Sequence, residues 1–114
     1  MRAGALDRLL TLRRRMVQAD ALGEEVETFA DLATVRASKT DISDAEKVRA
    51  QQVGAEITTR FQIRWSVNWS DLNPKDRVTC DLREYEVVGV KEIGRREGIE
   101  ITAAARADQN NLYT

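Results

Sequence analysis

From Ala55 to Val67 apolar and polar residues alternate. Ala55, Ile57, Thr59, Phe61, Ile63, Trp65 and Val67 fall on one side, and Glu56, Thr58, Arg60, Gln62, Arg64 and Ser66 on the other. A period of two marks a β-strand with one buried face. At roughly 3.3 Å per residue a strand of this length reaches about 43 Å, more than twice the ~17–20 Å of an ordinary strand. A chain of 114 residues supports one core, burying roughly two-thirds of the surface its unfolded form exposes. Such a strand either bends around a barrel or carries one end beyond the body, toward another subunit.

The neighbouring segments read as more strands. Leu6 to Val17 fits both a helix face and an alternating strand, and the Asp and Gly of Ala19-Asp20-Ala21-Leu22-Gly23 favour the strand, because they offer a turn into a second extended run. That run, Val26 to Ser38, has a β-branched centre in Leu32 to Ala37, and Glu27 to Asp31 reads as a short helical turn. Beyond Asp71 to Asp76, which holds the single proline in a tight connection, Arg77 to Leu82 is a short strand. Tyr85 to Val90 is a better one, with Tyr85, Val87 and Gly89 set against Glu86, Val88 and Val90. Gly94 to Gly98 turns the chain, and Ile99 to Ala103 closes the pattern.

Between the second run and the long strand lies a polar stretch, Lys39 to Gly54, whose sizeable apolar residues are Ile42, Val48 and Val53. Ser43-Asp44-Ala45-Glu46 is a capping-box pattern, so a helix from Asp44 to about Val53 is expected. Without an apolar stripe it would be marginal alone in water. The expectation is an all-β fold: a small six-stranded β-barrel or sandwich with one long polar loop carrying a short helix. Residues 1–107 form the single domain, with loop 39–54 inserted, and 108–114 are a polar tail.

Composition narrows function mainly by exclusion. Eighteen basic against nineteen acidic residues leave a net charge of −1, which is not the footprint of a protein that grips nucleic acid over its whole surface. The chain has no histidine, so Ser-His and Cys-His chemistry is excluded. Cys80, within a short strand, reads as a buried structural residue. Asp41 with Asp44, and Glu24 with Glu25, lack the Gly-centred spacing of a calcium loop. No catalytic residue, metal or cofactor is implied. No stretch approaches the ~20 apolar residues of a membrane span, and the chain reads as cytosolic.

The candidate contacts with partners are Arg13, Arg14 and Arg15, then Arg95 and Arg96, whose guanidinium forks suit carboxylate or phosphate equally. Trp65 and Trp69 stand four apart and would share one face of a regular strand. Trp65 reads as core, and Trp69 as a possible stacking contact at the strand's end. A rival reading is a small barrel that binds single-stranded nucleic acid, with Phe61, Trp65 and Trp69 as stacking platforms.

The order of these segments resembles the phage head-tail joining proteins, also called head-closure or stopper proteins. Gly4 to Leu12 is similar to their opening strand and Leu32 to Ala37 to their second. Glu46 and Ala50 to Glu56 resemble their glutamate- and glutamine-bearing loop. Ile57 to Trp65 resembles their long strand, ending in Ile63-Arg64-Trp65, and Tyr85 to Val90 their Y-x-I-x-G-V strand. Arg36 departs from the family, standing where an aromatic residue is common.

The resemblance implies a virion protein of a phage, prophage or gene transfer agent, assembled in the bacterial cytoplasm. It would form a homo-oligomeric ring, six-fold by the family's habit, between a portal-side adaptor ring and a tail terminator or tail tube protein. By the same resemblance a loop gates the DNA channel. Carried over, the gate comprises Thr40, Asp41, Ser43, Asp44, Glu46, Lys47, Arg49, Gln51 and Gln52, on a stem of Gly54, Ala55, Glu56 and Ile57.

Overall fold

The structure is a computed structural model, which describes residues 3–52 and 57–106. After a 3₁₀ turn at Ala3–Ala5 come strands β1 (Arg8–Ala19) and β2 (Glu25–Asp41), helix α1 (Asp44–Gln52), then β3 (Thr59–Arg64), β4 (Arg77–Cys80), β5 (Arg83–Ile93) and β6 (Gly98–Ala105). The strands close into an antiparallel barrel in the order β1-β2-β3-β6-β5-β4. Of the two expected architectures, barrel and sandwich, the barrel is realised. Closure pairs the barrel wall on both sides of every strand, which removes the free edges that invite aggregation.

Inward residues alternate as the sequence requires. Leu10 and Leu12 from β1, Ala37 from β2, Phe61 and Ile63 from β3, Val78 and Cys80 from β4, Tyr85 and Val87 from β5, and Ile99, Ile101 and Ala103 from β6 fill the interior. Phe61 meets Tyr85 edge-to-face, with ring centroids 5.1 Å apart and planes at 82°, the arrangement that sets a positive ring edge against a negative face. Burial pushes the Cys80 thiol above its ordinary range, in keeping with its place in the core.

Two bulges redirect the alternation. Val88 is an extra residue between the Val87–Ala103 and Gly89–Thr102 pairs, so Val90, rather than the expected Gly89, packs against the core. Leu32 plays the same part in β2, between the Leu12–Ala33 and Arg13–Asp31 pairs.

The long strand is not where the alternation put it. β3 spans only Thr59–Arg64, and Ala55 and Glu56 lie outside the described residues. Its C-terminal end stops because the Ser66 hydroxyl accepts the Asn68 amide at 3.2 Å and its carbonyl accepts the Trp69 amide at 3.2 Å, bending the chain into a turn. Val67, expected in the core, is 71% exposed there, and Trp65 and Trp69 therefore do not share a strand face.

The long strands are β1 and β2 instead. Twelve residue pairs join them, from Arg8–Ala37 to Ala19–Glu25. The expected helical turn at Glu27 to Asp31 is thus part of β2, its backbone taken up by β1 and its Phe29 ring covered by the Arg77 guanidinium at 4.0 Å. The β4 pairing of β1 ends at Arg13, and the β3 pairing of β2 begins at Ala37. From Arg14 to Ala19 the two strands are a ribbon with no third strand, an arm about 20 Å long at roughly 3.3 Å per residue. Its tip is built by Asp20, whose Oδ1 accepts the amides of Leu22 and Glu24, both at 2.9 Å. Gly23 supplies the left-handed residue, φ 81°, that the turn needs.

Candidate functional site

Core side chains fill the barrel interior, so the candidate sites lie on its outside, and three features stand out there. The first is the α1 segment. Thr40 and Asp41, expected in the loop, belong to β2, where they pair with Arg60 and Thr59; the β-ladder outlasts the apolar pattern because backbone pairing continues past it. Ile42 is buried and donates its amide to the Thr58 carbonyl at 3.0 Å. Ser43 then caps α1, its hydroxyl accepting the Glu46 amide at 3.3 Å. The glutamate of the capping box does not reach back. Its Oε1 instead accepts the Arg60 Nη2 at 2.6 Å, and Arg60 Nε lies 3.3 Å from Glu100. The Glu46 hydrogen bond raises the Arg60 pKa further.

Beyond that root the described part of α1 is largely exposed. Asp44, Arg49, Gln51 and even Val48 are exposed, and Lys47 is half-buried. Gln52 ends the helix, and Gly54, Ala55 and Glu56 of the expected stem lie outside the described residues. Ile57 is half-buried, while Thr59 is buried and paired to both Asp41 and Ala103. Of the expected stem only Ile57 is therefore described, and it precedes the first ladder pair of β3 at Thr59.

The second feature is the base of the arm, where the three consecutive arginines are used within the chain. Arg13 contacts Asp31 at 3.1 Å, Glu84 at 3.5 Å and the Phe29 carbonyl at 3.0 Å. Arg14 makes a two-pronged fork on Asp71 at 3.0 and 2.9 Å, and its Nε lies 3.4 Å from Asp76. Arg15 meets Glu27 at 2.6 Å. These hydrogen bonds hold the Asp71 and Glu27 carboxyls below their ordinary range and raise Arg14 above its own.

Sequence reading missed Asp76 and Glu84. Asp76, only 2% exposed, accepts the amides of Arg15 and Asn73 at 3.1 and 3.2 Å and so pins the 65–76 segment to the arm. Glu84 receives Arg13, Arg77 and Arg106 within 3.5 Å. Nothing in sequence spacing marks their role, because Arg15 and Arg13, the partners that tie them to the arm, are distant in sequence.

The third feature is a groove of about 430 Å³ lined by Leu6, Val35, Arg36, Arg64 and Trp69. Trp69, a candidate contact, is half-buried here and donates its indole N–H to the Arg64 carbonyl at 3.0 Å. Arg96 lies over the Trp65 ring at 5.1 Å, and Arg95 is exposed in the same turn. Phe61 is fully buried. With Phe61 in the core and Trp65 covered, the three rings cannot form a stacking platform for a single strand of nucleic acid. Among the described residues no cluster of three His, Cys, Asp or Glu side chains could hold a metal ion, and no helix is long and apolar enough to cross a membrane.

The model of the phage head completion protein family matches residues 1–106. The chain belongs to that family. As a head completion protein it has its place in the virion, and its family is a structural one. Among solved structures, the chain is similar to protein SF1141 from Shigella flexneri 2a, at 26% identity and a TM-score of 0.75, covering 95% of this chain and 99% of that one. A chain of the virion of a native gene transfer agent particle shares the fold at 18% identity and a TM-score of 0.54, covering 86% and 92%. No curated protein matches the sequence.

Proposed function

We propose that this head completion protein is a stopper. Copies of the barrel form a ring between the portal-side adaptor and the tail, close the DNA exit after packaging, and offer the surface on which a tail terminator or tube docks. It catalyses no reaction. The observation that carries this reading is the α1 segment: a charged helix without an apolar face, held to the barrel among the described residues at its root, by Ile42 and the Glu46–Arg60 pair. Elements that must take two positions come from the low-stability end of a structure. One such segment blocks nothing, but several around a symmetry axis make a plug. The fold shared with a chain of a gene transfer agent virion fits this setting.

The gate residues follow from that root: Ser43, Asp44, Glu46, Lys47, Arg49, Gln51 and Gln52 on the moving segment, with Thr40 and Asp41 as its strand-borne base and residues 54–57 as its return. A near-neutral lumen lets phosphates pass, where a strongly basic one would hold them. Replacing residues 43–54 by a short Gly-Ser linker leaves every barrel pair in place. Such particles are expected to fill and then leak DNA, read as nuclease-sensitive genome in purified heads. Particles that retain a nuclease-resistant genome after this replacement would contradict the gate.

A further inference from the structure

The arm and the groove are complementary, and they cannot meet within one chain. Arg36 and Arg64 stand side by side on the barrel's outer wall, one step beyond the Ala37–Ile63 pair of β2 and β3. Both are exposed. Like charges opposite each other on a sheet repel. The arginines at the arm base are all ion-paired, but among the described residues neither Arg36 nor Arg64 has a carboxylate within salt-bridge distance. Between them opens the groove, with apolar walls from Leu6, Val35 and Trp69. Leu9, 62% exposed, pairs across from Arg36 and extends the apolar rim. An occupant suited to this place has an apolar knob flanked by carboxylates.

The arm tip has that chemistry. Leu22 is 85% exposed at its apex. The side chains of Glu24 and Glu25 follow it, also exposed and without a cation partner among the described residues. From Glu25 to Arg36, β2 covers roughly 35 Å at about 3.3 Å per residue. Pairing with β1 is continuous over this length apart from the bulge at Leu32, so the tip is carried away from its own groove.

We infer that the arm tip of one copy seats in the groove of the next, with Leu22 against Leu6, Val35 and Trp69, and Glu24 and Glu25 on Arg36 and Arg64. The contact joins two different surfaces and is therefore heterologous, the kind that closes a ring when the rotation per subunit closes. It rests on the ring reading above and names the surfaces that make the ring.

Leu22→Cys with Val35→Cys in one chain tests it in assembled particles, buried Cys80 serving as the background. Mild oxidation is expected to give a ladder of covalent multimers ending at the ring's copy number. Wild-type particles holding several copies, with no ladder from the double variant, would overturn the contact and leave the ring standing. A cross-link to a different virion protein would also overturn it. Wild-type particles holding a single copy would instead contradict the ring. An independent check is charge exchange. Glu24→Arg with Glu25→Arg is expected to cut incorporation about tenfold or more, and adding Arg36→Glu with Arg64→Glu to restore most of it. Exchanged charges that fail to restore incorporation of a folded protein would count against the pairing.

Discussion

Single residues bear unequal shares of this fold. Asp81 and Leu82 both have positive φ, 52° and 65°, as the two-residue hairpin joining β4 to β5 demands. Leucine in that conformation is strained at a cost of order 1 kcal/mol, and its side chain is exposed. Leu82→Gly is therefore expected to raise stability by about 0.5–1 kcal/mol, measured by urea unfolding. A loss of stability would mean that the turn changes shape. Glu84 presents the opposite case. Its side chain, 12% exposed, is the shared partner of three arginines, and removing its charge leaves Arg77 without its carboxylate and Arg13 and Arg106 with only Asp31 and Glu86. Glu84→Gln is expected to cost about 1–3 kcal/mol, again by urea unfolding, and an unchanged midpoint would show that the cluster is fully solvated.

At the scale of elements the arm stands apart from the barrel, because ion pairs at its base supply what a third strand would otherwise give. Asp71 and Glu27 have lowered carboxyl pKa values, through hydrogen bonds from Arg14 and Arg15 respectively. A carboxyl whose folded pKa is depressed contributes stability that is full above its unfolded pKa and lost as pH falls through the folded one. The arm base should therefore loosen below about pH 4, ahead of the barrel, seen as amide chemical-shift changes at Arg15 and Thr28 while Phe61 and Ile101 stay unmoved. Simultaneous change at all four would contradict an independent arm.

The elements also show what the sequence made legible. Alternation together with turn signals placed the six strands in order and most of their inward residues, though not Val90 or the exposure of Val67, and Ser43 with Glu46 marked the start of α1. The Asp20 and Gly23 turn was equally readable. Strand lengths were not, because alternation reports which face is buried and not how far a neighbour extends to pair. Residues 57–67 alternate well beyond the Thr59–Arg64 ladder, while Glu25–Asp31 pair although their alternation is irregular. The bulges at Leu32 and Val88 are equally silent, since an extra residue leaves no compositional trace. The groove gathers Leu6, Arg36, Arg64 and Trp69 from four separate segments, a juxtaposition that only the barrel's closure creates.

The whole molecule is a closed barrel with a charged helix at one place and a long ribbon at another. In the proposed stopper ring the closed barrel is the fixed part, contacts at the arm join the copies, and the α1 segment is the part that moves. The central claim is that the segment lies at the axis of that ring in a filled head. Cryo-electron microscopy of the neck in DNA-filled particles tests it most directly. A ring of these barrels is expected, with residues 43–54 as the protein nearest the axis, below the last ordered DNA. Density that puts the segment on the outer face of the ring, away from the channel, would contradict it.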